Sequence, residues 1–417
     1  MNILVIAQLF PPDMGGGSTR AYNAVKGLLS SGCRVTVVTA FPHYPTGNIP
    51  QRYRHRLLMI EDKATLKIIR TWVPPLASKG IVNRLVLFIS FIFSSLFAFP
   101  FVEKIDVIWA ANPNIFSMFP ALFYGKVRDC HVVQNVDDPW PEAVYDLGLF
   151  KRSWLRRIAE IVSKFTYIVS DAITPISPSY LELIVSKYGI KGEKIFVIPA
   201  GVDLQGFGLQ GFSSRIRGTE RKFKVTYIGS FSIAYDFDQV LKAAELLSSE
   251  DDITILIQGG GELANTLKLE VEMMKLSNVI IMDKIVSREE VARILNDSDA
   301  LLLPLSVRAH RTGISSKLYE YQAAGKPILC CSGGQPGRYV SETESGVVVK
   351  PGDYEALAKA VLYLKENRDV AEKLGASGRQ YVENNLSIEK IGLKMMAVFN
   401  HVLRNSSRIR KAEQQVT

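Results

Sequence analysis

The sequence predicts an α/β protein with two doubly wound domains. Apolar segments of strand length alternate with helix-length segments along most of the 417 residues. Several of the apolar segments lack polar alternation, which is typical of parallel strands covered by helices on both faces. The alternation stops near residues 206–222 and then starts again, and a chain of this length usually divides into more than one domain.

The first half of the chain predicts one parallel sheet over residues 1–205. The segment NILVIAQL begins it, followed by a glycine-rich turn and a helix over about 19–30. Further strands are predicted, in order, at RVTVVTAF, LKIIRTW, DVIWAAN, HVVQNV, DAITPIS and KIFVIPAG. Helix-length segments separate them, and parallel strands need such crossover connections.

A linker and a second sheet follow. Residues 206–222 are rich in Gly, Ser and charge and lack apolar periodicity, so they predict a linker. The segments FKVTYIGS, DITILIQGGGE, NVIIMDK, ALLLPLS, PILCCSGG and GVVVKPGD predict a second sheet over 223–385. We expect residues 386–417 to form a helix that packs back toward the N-terminal domain. Ligands of such sheets bind outside the carboxyl ends of the strands, which predicts a site in a cleft between the domains.

Charge indicates the class of binding partner, and cysteine usage indicates the redox environment. The net charge is +9, with basic clusters over residues 52–56 and 404–411, which suits anionic lipid or phosphorylated ligands. No arginine-rich stripe with interleaved aromatic residues is present, so we expect no nucleic acid partner. The cysteines Cys33, Cys130, Cys330 and Cys331 fit no zinc spacing, and we expect core roles for Cys33, Cys130 and Cys330 in a reducing cytoplasm.

Residues 85–102, LVLFISFIFSSLFAFPFV, form an uncharged apolar segment near the lower length limit of a membrane-spanning helix. Three interpretations are compatible with this segment: a helix that spans the membrane, a helix buried in the core, and a helix that lies in one leaflet. A span would separate strand-forming segments into two compartments, and the chain starts with a strand pattern rather than a signal peptide. We therefore predict a cytoplasmic protein attached peripherally, through this segment, to the inner leaflet of the cytoplasmic membrane.

The segment RTGISSKLYEYQAAGKPIL predicts an anion site where a helix begins near Ser315. The unpaired N–H groups of a helix start favour an anion. Lys317 lies in the first turn, where a cation is unfavourable unless an anion binds, and the Glu320 carboxylate can accept two hydrogen bonds from a ribose. The candidate donor-binding residues here are Gly313, Ile314, Ser315, Ser316, Lys317 and Glu320. An ordinary capped helix with an exposed Lys–Glu pair is the alternative.

A second glycine-rich turn, at residues 15–17, follows the first strand and precedes a helix. Glycine allows close backbone approach to a ligand, so Gly16 and Gly17 are further donor-binding candidates. The spacing is not GxGxxG and no acidic residue ends the next strand, which argues against a dinucleotide site. A tight turn without a ligand is the alternative.

Further candidate ligand-binding residues lie on two loops. Asp138 follows a predicted strand, so its carboxylate is expected at the carboxyl edge of the sheet, and Trp140 can stack on a sugar. A capped turn before a helix is the alternative. His43 and Tyr44 follow the second strand, although a lone loop histidine is often only solvated. Residues 236–238, DFD, are interpreted as acids at a helix start, and we predict no metal.

Several of these motifs together resemble a known family. SKLYEYQAAGKPIL resembles the donor-binding segment of the retaining GT-B glycosyltransferases of family four, and IPAGVDLQGF resembles their strand-to-linker signature. VTYIGSF, IQGGGE and SDALLLPL occur in the order of that family. FPHYPTGNI and DPWPEAVYDLG are similar to loops of the branch that builds bacterial surface polysaccharides on polyprenyl-linked acceptors. The resemblance implies the GT-B fold.

The resemblance also implies residue roles. Glu320 matches the second glutamate of the family motif, which binds the nucleotide ribose, whereas Thr312 stands in place of the first. The stretch after YIGS, with Gly229 and Ser232, lacks the cations that hold the diphosphate in many members, so Lys317 and Arg308 are expected to replace them. Asp138 matches the acidic residue that orients the acceptor hydroxyl or stabilises an oxocarbenium ion.

The sequence therefore predicts a metal-independent glycosyltransferase with Asp138, Lys317 and Arg308 as catalytic residues and no cofactor besides its donor. The resemblance implies a UDP-sugar, N-acetylated sugars included, and a polyprenyl-diphosphate-linked glycan as acceptor, with retention of configuration. A nucleotide-sugar epimerase of the same fold and a sugar-nucleotide-binding member without transferase activity are the alternatives. A dehydrogenase is disfavoured because no nicotinamide fingerprint is present.

Overall fold

The computed structural model describes residues 1–44, 46–78, 80–111, 115–142, 145, 153–207, 222–307 and 313–416. Its contacts divide the chain into two units, Met1–Gly201 with Ile388–Thr417, and Val202–Ser387. Residues 208–221, most of the predicted linker, lie outside the described residues. Each unit is an α/β body built on one largely parallel sheet, as the sequence predicts.

The first unit contains a sheet with strand order β3-β4-β2-β1-β5-β6-β7. Its strands are β1 (Asn2–Ile6), β2 (Arg34–Ala40), β3 (Leu58–Lys63), β4 (Leu66–Thr71), β5 (Val107–Ala110), β6 (His131–Val136) and β7 (Ala172–Pro175). Its helices are α1 (Gly16–Ser30), α2 (Gly80–Leu96), α3 (Met118–Arg128), α4 (Ser153–Val169), α5 (Pro178–Tyr188) and, last in the chain, α13 (Ile388–Val416). All neighbouring strands are parallel except β3, which pairs antiparallel with β4.

Two elements of this sheet differ from the sequence prediction. The edge strand β3 was not predicted, because its sequence LMIEDK is charged at one end and only partly buried. The predicted strand KIFVIPAG is instead an extended segment beside β7, with hydrogen bonds from Phe196 N to Ile173 O and from Ile198 N to Pro175 O. Proline at positions 175 and 199 removes backbone donors, which limits a regular ladder there.

The apolar segment at 85–102 packs with one side only. Leu87 and Phe91 of α2 are buried in the core of the first unit. Ile89 and Phe93, on the other side of the helix, are exposed. Within the described residues, no helix combines the length and the apolar character needed to cross a membrane. The segment is thus a core helix with an exposed apolar face.

The helix α13 packs against α1 at a crossing of two glycines. A Cβ atom at Gly27 would overlap the Ile388 carbonyl oxygen, and one at Gly392 would overlap the Gly27 carbonyl oxygen. The backbones of the two helices therefore approach more closely than side chains would allow. Cys33 Sγ lies 3.2 Å from Met396 Sδ in the same interface. The C-terminal helix is in this way part of the first unit.

The second unit contains a parallel sheet with strand order β10-β9-β8-β11-β12-β13. Its strands are β8 (Phe223–Ser230), β9 (Ile253–Gly260), β10 (Val279–Asp283), β11 (Ala300–Pro304), β12 (Ile328–Cys331) and β13 (Gly346–Val349). Its helices are α6 (Phe237–Leu246), α7 (Ala264–Met273), α8 (Arg288–Asn296), α9 (Ser316–Ala323), α10 (Gln335–Glu342), α11 (Tyr354–Glu366) and α12 (Arg368–Asn385). Cys330 and Cys331 are buried in β12 as free thiols, as expected of core cysteines.

A buried carboxylate joins two loops at the carboxyl edge of the first sheet. Asp13 Oδ1 accepts hydrogen bonds from the backbone N–H groups of His43 and Tyr44, each at 2.9 Å. Its second oxygen, Oδ2, is buried and has no hydrogen-bond partner. Burial raises the pKa of Asp13 from 3.8 to about 7, although the two N–H groups and the charge of Arg70 oppose the shift. The loops after β1 and β2 are thus held by a group that titrates near neutrality.

We expect Asp13→Asn to flatten the pH dependence of stability of the first unit. A carboxyl whose pKa is higher in the folded state stabilises the fold below its unfolded pKa of 3.8, and this contribution is lost as pH rises through about 7. The free energy of unfolding of the wild type should therefore fall between these limits, by up to about 1.4 kcal/mol per pH unit from this group. Asparagine keeps an oxygen for both N–H groups but does not titrate.

Urea denaturation at a series of pH values measures this effect. All four tryptophans (Trp72, Trp109, Trp140 and Trp154) lie in the first unit, so intrinsic fluorescence reports on its unfolding. The exposed Asp238, changed to Asn, is the control and should keep the wild-type pH dependence. Equal slopes for the wild type and Asp13→Asn would show that Asp13 does not titrate in this range.

Candidate functional site

The strand order of the second sheet reverses between β8 and β11. The chain proceeds from β8 to β9 in one direction and from β11 to β12 in the other. Ligands of doubly wound sheets bind at the carboxyl ends of the strands at such a reversal. Part of the predicted donor-binding set lies here: Gly229 and Ser232 are at the end of β8 and in its loop, and α9, which carries Lys317 and Glu320, is the helix after β11.

A buried tyrosine fixes α9 in the opening between these two strands. β8 and β11 pair only through Val225 with Ala300 and Thr226 with Leu301. Beyond that point the Tyr321 hydroxyl accepts from Ile228 N at 3.4 Å and donates to Leu302 O at 3.2 Å. The hydroxyl thus takes the place of ladder hydrogen bonds where the strands part, and it sets the position of α9 against both.

Lys317 projects from the first turn of α9 toward the loop after β8. Ser315 caps the helix, and its Oγ accepts a hydrogen bond from Lys317 N at 3.4 Å. Lys317 Nζ donates to the Tyr235 hydroxyl at 3.1 Å and lies 5.2 Å from the centroid of that ring. The ammonium group is therefore held at the carboxyl edge of the sheet, beside the N-terminus of a helix.

Gly229 makes room for the lysine. Its φ is +155°, a backbone conformation that residues with a Cβ atom rarely adopt, and a Cβ atom built there would overlap Lys317 Cε. The Tyr227 ring, next along β8 on the same side, lies edge-on to Tyr235 at 5.1 Å between centroids. Glycine at 229 and the two tyrosines thus define the space that Lys317 occupies.

Glu320 lies one turn after Lys317 and is partly buried. Burial raises the pKa of its carboxyl, while the charges of Lys317 and Arg288 oppose the shift. Gly313 and Ile314 are buried just before the helix, and Ser316 begins it. The remaining two residues of this motif, Arg308 and Thr312, lie outside the described residues.

The first sheet has the same reversal between β1 and β5, and the glycine-rich turn follows β1. Gly15 has φ +126°, and a Cβ atom there would lie 3.1 Å from the Tyr44 ring. A Cβ atom at Gly16 would have no heavy atom within 4 Å, and Gly17 continues the first turn of α1. Tyr44 thus covers Gly15, whereas Gly16 borders open space.

His43 is buried rather than solvated, so the alternative of a solvated loop histidine is wrong. Its side chain is 2% exposed, and Nδ1 hydrogen-bonds with the Phe41 carbonyl oxygen at 2.8 Å. Burial lowers the pKa of the imidazole. His43 is therefore a neutral, fixed group, while the neighbouring Tyr44 ring is partly exposed.

A buried arginine anchors the turn that carries Asp138. Arg20 Nε lies 3.5 Å from Asp137 Oδ1, which also accepts from Asn135 Nδ2 at 2.7 Å. Burial raises the pKa of Asp137, and the Arg20 charge opposes this most strongly. Asp138 is an exposed residue, but burial of its carboxyl raises the pKa, and the hydrogen bond that it accepts from the Tyr180 hydroxyl at 3.4 Å opposes the shift. The network holds the turn and with it the Asp138 carboxyl.

Trp140 packs against its own unit. Its ring lies edge-on to Phe116 at 5.7 Å between centroids and is partly buried. Its carbonyl oxygen accepts from Ser163 Oγ at 2.6 Å. Trp140 therefore supports the loop after β6. Only the accessible part of its ring can contact a ligand.

The acids at residues 236–238 cap a helix, as predicted. Asp236 precedes α6, and its Oδ1 accepts from Gln239 N at 3.0 Å. Asp238 pairs with Lys242 one turn later at 2.9 Å. Among the described residues, no group of three or more His, Cys, Asp and Glu residues is placed to hold a metal ion.

Sequence reasoning missed Tyr235, Arg20 and Asp13. Tyr235 lies in the stretch 230–235, where the absence of a cation is evident from sequence but a hydroxyl that accepts from a distant lysine is not. Arg20 gave a usable signal, because it lies among the small and apolar residues of the buried side of α1. Asp13 gave none, since both of its partners are backbone N–H groups of a distant loop.

Sequence models of two families match most of the chain. The model described as glycosyltransferase family 4 matches residues 14–205, and the model described as glycosyl transferases group 1 matches residues 212–381. The two matches follow the two halves predicted from the sequence. They cover the glycine-rich turn of the first unit and the whole of α9 in the second.

Individual proteins show the same relationship. The O-antigen chain mannosyltransferase C of Escherichia coli is 23% identical, over 98% of this chain and all of that protein. A putative colanic acid biosynthesis glycosyl transferase, WcaI of E. coli K12, is 24% identical over 94% of this chain and 98% of its own length.

A solved structure shows the same fold. Sucrose-phosphate synthase from Thermosynechococcus elongatus has a TM-score of 0.76 at 16% identity, covering 97% of this chain and all of that one. Together with the family matches, this agrees with the α/β units and the reversals in strand order described above. The chain, with a family 4 match in its N-terminal half and a group 1 match in its C-terminal half, is a glycosyltransferase of the GT-B fold.

Proposed function

We propose that this glycosyltransferase moves a sugar from a nucleoside-diphosphate donor to a hydroxyl of a polyprenyl-diphosphate-linked glycan, with retention of configuration, in bacterial surface polysaccharide synthesis. The observation that carries the proposal is the Lys317 ammonium group. It lies at the N-terminus of α9, beside a glycine, at the strand-order reversal of the second sheet.

The donor diphosphate gains negative charge as the bond to the sugar breaks. Preorganised cations and N–H groups stabilise such charge without the reorganisation that water would require. Lys317 supplies the cation, Tyr235 holds it in place, and the first amides of α9 at Ser315 and Ser316 point out of the helix start. In this proposal Glu320 binds the ribose, and Gly313, Ile314 and Ser232 line the donor. The roles of Gly16, Gly17 and Arg308 stay predictions.

The acceptor side is proposed at the carboxyl edge of the first sheet. Asp138 is an exposed residue on an anchored turn, and its carboxyl has a pKa raised by burial, which suits a group that orients an attacking hydroxyl. Trp140 offers the accessible part of its ring to a sugar, and Tyr44 offers a partly exposed hydroxyl-bearing ring. The buried His43 acts in this scheme as a fixed neutral support of the same loop.

The names of the relatives support the biological role. Two E. coli relatives that match nearly the whole chain are named for the O-antigen and for colanic acid, both surface polysaccharides. The exposed apolar face of α2 supports peripheral attachment to the cytoplasmic membrane, where a polyprenyl-linked acceptor resides. Preference for UDP over GDP and an N-acetylated sugar stay predictions, as does the absence of a metal.

We expect Lys317→Ala to weaken binding of the nucleoside diphosphate by at least about tenfold, because a charge-assisted hydrogen bond contributes roughly 1.5–3 kcal/mol. Tyr235→Phe keeps the ring but removes the hydroxyl that accepts from Lys317, so a smaller loss is expected. Isothermal titration with UDP and GDP measures both. The exposed Lys242→Ala is the matched control, and wild-type affinity in Lys317→Ala would refute the assignment.

We expect Gly229→Ala to reduce the same affinity by displacing the lysine. The new Cβ atom would overlap Lys317 Cε, so the ammonium group must leave its position beside Tyr235. In the Lys317→Ala background the same change should add little further loss of affinity, which a double-mutant cycle measures. Gly333→Ala, where a Cβ atom has room, is the control. Fully additive effects would show that Gly229 acts independently of Lys317.

The reaction itself is tested by a donor screen followed by transfer. Thermal shifts with UDP- and GDP-sugars identify the donor, and the stabilised pairs are then incubated with polyprenyl-diphosphate sugars. We expect a product whose anomeric configuration, determined by NMR, equals that of the donor. Epimerisation of the donor without acceptor, or binding without transfer to any lipid acceptor, would contradict the proposal in favour of an epimerase or a binding protein.

A further inference from the structure

The helix α4 is amphipathic in the reverse of the usual sense. Its packed side carries the small and polar residues Ala159, Ser163 and Thr166, together with one large residue, Tyr167, which is buried in a core cluster. Ser163 Oγ donates to Trp140 O at 2.6 Å, and Gln134 Nε2 of β6 donates to Thr166 Oγ1 at 3.2 Å. Surface helices of globular proteins normally turn their large apolar residues toward the core. In α4 the side facing the sheet is the more polar one.

The opposite side of α4 carries large apolar residues. They recur every three or four residues and so form one stripe along the helix. They are Trp154, Ile158, Ile161, Phe165 and Ile168, each at least 50% exposed, with Ile161 at 67%. Exposed apolar side chains are normal singly, but a contiguous stripe indicates a surface that is covered in use.

Basic side chains flank the stripe. Arg157 and Lys164 are exposed and lie four residues before and three residues after Ile161, on one border of the stripe. The acidic residue of this helix, Glu160, is paired with Lys187 at 2.8 Å. With Arg156, the helix has three basic residues against one acidic residue. An apolar stripe with a basic border complements an anionic, apolar-cored surface.

Neighbouring helices expose further apolar residues on the same side of the unit, because α2, α3 and α4 cover the same face of the first sheet. Val132 and Gln134 of β6 share one face of the strand. Val132 packs in one cluster with Leu87 of α2 and Tyr124 of α3, and Gln134 contacts α4. Exposed apolar residues on α2 and just beyond it, and on α3, are Val82, Val86, Ile89, Phe93, Phe97, Phe101, Phe123 and Val127.

We propose that this helical face, with α4 as a docking element besides α2, lies on the surface of a bilayer that contains anionic lipid. The stripe of α4 enters the boundary of headgroups and acyl chains, and Arg157 and Lys164 contact lipid phosphates. Trp154 suits the same boundary, since its ring is apolar and its N–H is polar. This proposal names the surface that makes the membrane attachment given under the proposed function. It rests on that function, because a lipid-linked acceptor is the reason for the enzyme to bind the membrane.

Vesicle flotation of the full chain tests the proposal. The probes are phosphatidylcholine vesicles with and without about 30% phosphatidylglycerol. The variants are Ile161→Ser with Phe165→Ser, and Arg157→Gln with Lys164→Gln. The matched control is Leu269→Ser with Met273→Ser, two exposed apolar residues of α7 in the second unit.

We expect the apolar pair to lower the vesicle partition constant at least about tenfold. The basic pair should weaken binding to anionic vesicles only, and the control should float like the wild type. Wild-type flotation of the apolar pair, or no flotation of the wild type, would overturn the proposal. A third outcome would also overturn it: the wild type binds no vesicles and self-associates, and sedimentation velocity shows that the apolar pair is monomeric. A second copy of the chain would then be what covers the face.

Donor affinity separates this inference from the proposed function. α4 belongs to the first unit, whereas Lys317 and Glu320 belong to the second, so the apolar pair should keep wild-type affinity for UDP or GDP. A loss of donor affinity in the apolar pair would show that this variant is misfolded. Vesicle binding of the basic pair would then decide whether the docking face is correct. If vesicle binding follows the prediction but no sugar is transferred, the docking face stands and the proposed reaction fails. If sugar is transferred to the acceptor but the protein does not bind vesicles, the proposed reaction stands and the docking face fails.

Discussion

The candidate donor site depends on the early end of pairing between β8 and β11. These strands share only two paired positions before they part. Parallel strands that separate leave backbone N–H and C=O groups without partners, and buried groups of this kind are costly. Tyr321 satisfies one group on each strand and thereby fixes α9 in the opening. The place of Lys317 follows from that helix, and the need for glycine at 229 follows from Lys317.

The position of Lys317 is electrostatically balanced without a ligand. A cation in the first turn of a helix is unfavourable by about 0.3–1 kcal/mol, because the helix N-terminus carries partial positive charge. The Tyr235 ring and hydroxyl offset a similar amount, since a cation–π contact contributes about 0.5–1 kcal/mol. The negative charge of Glu320 also stabilises the Lys317 ammonium group. In the donor site proposed above, an arriving diphosphate would therefore meet a cation that is already in place and would interact favourably with both this cation and the helix N-terminus.

The sequence predicted the strands better than the contacts between loops. Apolar segments without alternation identified the central strands, whereas the charged edge strand β3 gave no comparable signal. Lys317 is predicted from sequence because a cation at a helix start is unusual, and this signal lies within a short segment. Its partner Tyr235 lies 82 residues away, and Arg20 lies 179 residues from the Pro199 carbonyl that it binds at 2.6 Å. Such long-range pairs depend on sheet order, which a local pattern does not contain.

The reverse polarity of α4 shows the same limit in another way. Periodicity reveals that a helix has two different sides, but the strand beneath decides which side turns inward. On β6 the position facing α4 is Gln134, whose buried amide needs a hydrogen-bonding partner. Thr166 provides a hydroxyl only if the small, polar side of α4 faces the sheet, and this turns Ile161 and Phe165 outward. The hydrogen bond of this buried amide and the burial of Tyr167 in a core cluster are thus both made when this side faces inward, and an apolar surface is left on the outside of the unit.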